Sequence, residues 1–98
     1  MKTQINQIRE ILDQQRTFLR KTYNVESLGV FGSVARGDNT ETSDIDVLVQ
    51  FSEPIGMFKF IQLEDRLSQL FGKKVDLVTN KALKEVLKDE ILQEVLYV

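Results

Sequence analysis

Ser43-Asp44-Ile45-Asp46-Val47-Leu48-Val49-Gln50-Phe51 is the stretch on which the fold of this chain turns. From Asp44 onward the residues alternate, so that Ile45, Val47, Val49 and Phe51 share one face of an extended strand and Asp44, Asp46, Leu48 and Gln50 share the other. Asp is depleted in strands because it packs poorly on a half-buried pleat, so two on one face invite explanation. Residues two apart on a strand stand about 6.5–7 Å apart along the backbone, close enough for their carboxylates to converge on hard cations. A plainer reading of the pair stays open, with Asp44 capping the preceding loop and Asp46 solvated on an open face.

On the C-terminal side, Ser52-Glu53-Pro54-Ile55-Gly56 stops the strand, since Pro54 cannot donate to a ladder and Gly56 frees the turn. Phe58, Ile61, Leu63, Leu67, Leu70 and Phe71 then recur as in a long helix, ended by Gly72 as a C′ residue. Val75–Thr79 reads as another strand, and Leu83, Val86, Leu87, Ile91, Leu92, Val95 and Leu96 as a last amphipathic helix running almost to the C-terminus. On the N-terminal side, Ser27–Phe31 is a short apolar strand stopped by Gly32. Val34-Ala35-Arg36 follows as a helical turn, and 38–43 as a polar loop. Gln4–Lys21 is an amphipathic helix carrying Ile5, Ile8, Ile11, Leu12, Phe18 and Leu19. The second and third strands flank a helix and so run parallel, whereas the short link between the first two makes those antiparallel. The expectation is an α/β (α+β) protein in which a small mixed three-stranded sheet is packed by helices.

Composition narrows the chemistry. The chain has 98 residues, 13 Lys plus Arg against 15 Asp plus Glu, and neither Cys nor His. That excludes disulfide frameworks, zinc fingers, thiolate nucleophiles and Ser-His-Asp or Cys-His engines. Catalysis here must use carboxylates, hydroxyls, Lys or Arg, with a hard metal. The length fits one domain over residues 1–98 with one modest core. A net charge of −2 supplies no basic stripe for general nucleic-acid binding. No apolar run approaches the roughly 18 residues of a membrane span, and no apolar signal region follows the first residues, so a cytoplasmic protein is expected.

Two further features join the aspartates. Gly32-Ser33 ends the first strand at the start of a helical turn, where a Gly permits close backbone approach, N–H groups favour phosphate oxygens and Ser33 adds a hydroxyl; alone it is indistinguishable from an ordinary turn. Asp76 sits inside an apolar strand, and the parallel arrangement carries it beside the start of the Asp44–Phe51 strand. Three carboxylates meeting at one sheet edge repel unless cations stand between them, and Mg²⁺ suits carboxylate and phosphate oxygens.

The set Gly32-Ser33-Val34-Ala35-Arg36-Gly37, Ser43-Asp44-Ile45-Asp46 and Val75-Asp76-Leu77-Val78 resembles the nucleotidyltransferase superfamily of DNA polymerase beta. The short chain, the Ala-Arg-Gly after the Ser and the ending Ile91–Val98 look like its minimal nucleotidyltransferases, called MNT, and the likeness spans nearly the whole chain. The resemblance implies the polymerase beta-like palm, and transfer of a nucleoside monophosphate from an NTP to an acceptor hydroxyl. It implies that Asp44, Asp46 and Asp76 bind two Mg²⁺ ions, with Asp76 also available as base. It assigns Gly32 and Ser33 to the triphosphate. MNT proteins commonly act as antitoxins beside a helical HEPN-type toxin, so the resemblance further implies adenylylation of such a partner, typically on a Tyr, with ATP or another NTP as substrate.

Two other functions fit the same residues. One is a binding module that neutralises its partner by contact alone; the crowded carboxylates speak against it. The other is an aminoglycoside-type small-molecule nucleotidyltransferase, for which an acceptor domain is missing. A homo- or hetero-oligomer accords with a site that needs a partner. Arg36 suits either a phosphate contact or a carboxylate pair that fixes the turn, and the pair is favoured. Ser43 reads as a loop hydrogen-bonder, Lys73 and Lys74 as solvated edge charges, and Arg9, Arg16 and Arg20 as an exposed helix face. Tyr97 is either a buried anchor or an interface residue.

Overall fold

Helix α1 (Gln4–Tyr23) turns one stripe inward, Ile8, Leu12, Leu19 and Tyr23, all spaced for a single helical face. In this computed structural model, residues 4–83 and 85–98 are described, except for the side chains of 85–87. Asn24 ends α1 with a positive φ of 55°, which Asn tolerates better than most residues, and its carbonyl accepts from the Ser52 N–H at 2.9 Å. The chain then runs through β1 (Val25–Phe31), the short α2 (Ser33–Arg36), β2 (Ile45–Phe51), α3 (Met57–Phe71), β3 (Val75–Thr79), a 3₁₀ turn at Asn80–Ala82, α4 (Glu85–Glu94) and β4 (Leu96–Tyr97).

The sheet order is β3-β2-β1-β4. As the spacing predicts, β1 and β2 pair antiparallel while β2 and β3, joined through α3, pair parallel. Ile45, Val47 and Val49 of β2 join Leu28 and Val30 of β1, Val75 and Leu77 of β3, and the inward stripes of α1 and α3 in one core. The opposite sheet face carries Asp46, Leu48 and Gln50, in register with Phe31, Gly29 and Ser27. On this second face Leu48 is buried as well, while Asp46, nearer the start of the strand, stays partly exposed. Among the described residues no helix is long and apolar enough to cross a membrane.

One expectation is corrected. The sheet has four strands, because the last helix stops at Glu94 and Leu96–Tyr97 pair with Val30 and Gly29. Ile91, Leu92, Val95 and Leu96 satisfy helical spacing, yet the outer edge of β1 needs hydrogen-bond partners, and that tertiary demand overrides the local pattern. Gly29 makes the approach possible. A Cβ there would collide with Val95 Cγ1 and stand 3.3 Å from Tyr97 Cδ1. The Val98 N–H bonds Leu28 O at 2.9 Å, Arg9 reaches Tyr97 O at 3.3 Å, and Arg16 donates to Val98 O, so α1 clasps the last strand. The side chains of Val86 and Leu87 lie outside the described residues.

Helix α3 forms as its spacing predicts, but not all of its apolar residues turn inward. Leu63 and Leu67 are fully buried, but Phe58 is 84% and Ile61 49% exposed. At about 100° per residue these two fall on the side opposite Leu63 and Leu67. The half-buried Phe60, Leu70 and Phe71 complete the inward face. Gly72 ends the helix in the left-handed conformation at φ 68°, as expected of a C′ glycine.

Helix α3 also protects the outer edge of β3. Ser68 Oγ accepts from the Val75 N–H at 2.9 Å, and Glu64 Oε2 accepts from the Leu77 N–H at 2.9 Å. These bonds satisfy donors that an edge strand would otherwise present to another chain. Ser68→Ala is expected to cost about 1 kcal/mol. In a domain of this size that lowers the melting temperature by about 4–8 °C. An unchanged thermal melt would show that water replaces the hydroxyl at no cost.

Candidate active site

Gly32 leaves β1 at φ 76° and ψ −151°, a backbone region essentially closed to residues with a Cβ. The Arg36 N–H bonds Gly32 O at 3.0 Å and the Asp38 N–H bonds Ser33 O at 3.0 Å. These close the short helix, with Gly37 left-handed at its end. The Gly32 turn folds directly over Asp46. A Cβ on Gly32 would run into Asp46 Oδ2 and stand 3.2 Å from Asp46 Cγ. Glycine is therefore required twice at this position, by its dihedrals and by the carboxylate beneath it.

Strand pairing supplies the rest of the site. Asp46 is in register with Phe31 on β1 and with Asp76 on β3, so Asp46 and Asp76 stand side by side on parallel neighbours. Asp44 sits just before β2 and faces Lys74, with Nζ 3.8 Å from Oδ2, while the Ile45 N–H bonds Lys74 O at 2.9 Å. That pair is largely solvated and holds Asp44 loosely. Burial pushes the Asp46 carboxyl above its ordinary pKa, and the charges of Asp76, Asp44 and Glu94 push the same way, against the opposing pull of Arg36.

A hard, oxygen-seeking cation fits this donor set, because it would relieve the crowding that raises Asp46. Among the described residues no three carboxylates are already gathered around one metal position. Asp46 and Asp76 form the shared wall, with Asp44 at its rim.

Arg36 takes the carboxylate pair that its sequence context favours. Nε bonds Asp38 Oδ2 at 3.2 Å and Nη1 lies 3.5 Å from both oxygens of Glu94. Asp38 first and then Glu94 raise its pKa further. Ser43 serves the loop, accepting from the Thr40 N–H at 2.9 Å. Tyr97 is 53% exposed, so it is no buried anchor, and one edge of its ring rests on Gly29.

Glu94 is the site residue that sequence reasoning misses. Its carboxylate accepts from the Gly32 N–H at 2.8 Å across 62 residues of chain. A Glu at the end of an amphipathic helix is locally the same as any solvated charge, so only the tertiary placement of the end of α4 beside the Gly32 turn reveals it. A pocket of about 420 Å³ lined by Gln50, Phe51, Ile55, Phe60, Asn80 and others lies at the other end of β2 and does not reach the aspartates.

A sheet face bearing paired aspartates under a Gly-Ser turn defines a class, and the comparisons agree. Residues 12–98 match the model of the nucleotidyltransferase domain, and the chain belongs to that family. Among relatives, "Protein adenylyltransferase MntA" of Thermococcus cleftensis is 43% identical over 94 residues, covering 96% of this chain and 95% of the relative. The structure described as "putative minimal nucleotidyltransferase" superposes with a TM-score of 0.73 at 31% identity, covering 91% of this chain and 93% of the other. A toxin-antitoxin crystal structure with AMP-PNP gives a TM-score of 0.68 over 94% of this chain and 69% of that one; at 22% identity it speaks for the fold alone.

Proposed function

We propose that this nucleotidyltransferase moves AMP from ATP onto a hydroxyl of a partner protein, a Tyr of a HEPN-type toxin, forming the bond from that oxygen to the α-phosphorus and breaking the α–β bridge so that pyrophosphate leaves, and that it so acts in the cytoplasm as an antitoxin. The observation that carries the reading is the placement of Asp46 and Asp76 on adjacent parallel strands beneath the Gly32-Ser33 turn. The adenylyltransferase name of the Thermococcus relative supports the choice of adenylyl group and protein acceptor. The choice of partner follows the toxin-antitoxin complex with AMP-PNP, with which this chain shares its fold.

In this reading Asp44, Asp46 and Asp76 hold two Mg²⁺ ions, which when bound would neutralise the triphosphate and lower the pKa of the acceptor hydroxyl. The chain's own groups do the rest. The Gly32 N–H and the Ser33 hydroxyl donate to triphosphate oxygens, Arg36 adds a charged donor at the same turn, and Asp76 Oδ accepts the proton of the attacking hydroxyl. Much of the rate arises from holding acceptor and phosphorus in line, so residues on rigid strands suit the task.

The test is transfer of label from α-labelled ATP to the cognate toxin. The native chain is expected to label it, and Asp44→Asn and Asp76→Asn each to lose about 10²-fold or more. Transfer undiminished in both variants would contradict these roles. Growth restored to toxin-expressing cells by the transfer-dead variants would instead show that contact alone neutralises the partner.

A further inference from the structure

Two of the donors that the proposed function gives to a triphosphate are already taken. The Gly32 N–H donates to Glu94 Oε1 at 2.8 Å, and Arg36 Nη1 lies 3.5 Å from Oε1 and Oε2 of the same carboxylate. Glu94 is the last residue of α4, and its side chain keeps 30% of its exposure, so packing does not force it into this position. It also adds a negative charge beside Asp46, where Asp76 and Asp44 already crowd. A fourth carboxylate here costs electrostatic energy, and its return is the satisfaction of an N–H in a backbone conformation that would otherwise leave it without a protein acceptor. Carboxylate and phosphate oxygens accept from the same amide and guanidinium donors in the same geometry.

We propose that Glu94 is a displaceable internal anion standing where a phosphate group of the nucleotide binds, so that nucleotide entry requires its carboxylate to leave Gly32 and Arg36. The proposal rests on the nucleotidyltransferase reading of this site. The backbone around Glu94 is anchored: the Val95 N–H bonds Ile91 O at 3.1 Å, and Leu96 pairs with Val30. Exchange is thus a rotation of one side chain, with the sheet unchanged. In the absence of nucleotide Glu94 keeps the Gly32 turn formed and its donors satisfied, at the expense of affinity.

Binding of inorganic tripolyphosphate in metal-free buffer tests this without recourse to catalysis. Glu94→Ala is expected to bind it about ten-fold more tightly than the native chain, the ratio that corresponds to about 1.4 kcal/mol. Glu94→Gln should fall between them, because its amide oxygen still accepts from Gly32 while its charge pairing with Arg36 is lost. Glu90→Gln removes the same charge from an exposed position on α4 and should bind as the native chain does. Without ligand Glu94→Ala should melt below the native chain, and saturating tripolyphosphate should raise its melting temperature by more. Equal or weaker binding by both Glu94 variants overturns the proposal, as does equal tightening in Glu90→Gln. Failure of the native chain to bind ATP with Mg²⁺ is a separate result, and it would remove the nucleotidyltransferase reading itself.

Discussion

Gly32→Ala is expected to reduce nucleotidyl transfer by about 10²–10³-fold, the scale seen when a preorganised donor is withdrawn from a reacting group. The effect has two sources. At φ 76° and ψ −151° an alanine pays the cost of a conformation that L-residues avoid, of order 1–3 kcal/mol. The new Cβ also meets Asp46 Oδ2, so either the turn or the carboxylate must move. Whichever yields, the Gly32 N–H and the Asp46 carboxylate, the phosphate donor and metal ligand of the proposed site, lose their alignment together. Gly37→Ala is the control, because Gly37 has a φ of 80° yet nothing within 4 Å of the added Cβ. That variant should lose about 1 kcal/mol of stability and keep its transfer activity. Equal loss of transfer in the two variants would show that backbone strain alone is responsible, and native-like transfer by Gly32→Ala would remove Gly32 from the site.

Asp46→Asn separates stability from activity. Burial and neighbouring carboxylates raise the Asp46 pKa in the folded protein. The ionised form therefore destabilises the fold above that raised pKa, and the penalty disappears as pH falls through it. Removing the charge is expected to raise the melting temperature by roughly 2–4 °C near neutral pH without divalent cations, a modest gain because the group is partly solvated. The gap between variant and native chain should close in acid. Transfer by the variant should fall by about 10³-fold. Added Mg²⁺ should stabilise the native chain and leave the variant unmoved, since only a ligand bound by the folded state shifts unfolding. A variant that melts below the native chain at neutral pH, or that keeps its transfer, would contradict the electrostatic account. In the proposed function the most crowded carboxylate of the site is thus a point where the fold gives up stability for chemistry.

The strict alternation around Asp46 made β2 legible, and the lengths of the links on either side of it made the antiparallel and parallel pairings legible as well. A βαβ unit leaves the starts of its two strands adjacent, so topology alone sets Asp76 beside the start of β2, and the register with Asp46 itself is a finding of the structure. What escaped was of another kind. Val95 and Leu96 continue the helical spacing of Ile91 and Leu92, and Phe58 and Ile61 are as apolar as the buried Leu63. No window of sequence distinguishes them.

The line between the two kinds of feature follows the range of the forces involved. Chain-local physics, meaning side-chain periodicity, glycine's access to positive φ and the cost of Asp on a pleat, dictated the elements, the Gly32 turn and the three aspartates. Contacts between distant segments decided the rest. The open edge of β1 drew Leu96–Tyr97 out of a helix into a fourth strand across the gap left by Gly29. The end of α4, carried with it, set Glu94 on the Gly32 amide. Neither outcome is written in local spacing, because each depends on an unsatisfied hydrogen-bonding group more than 60 residues away along the chain.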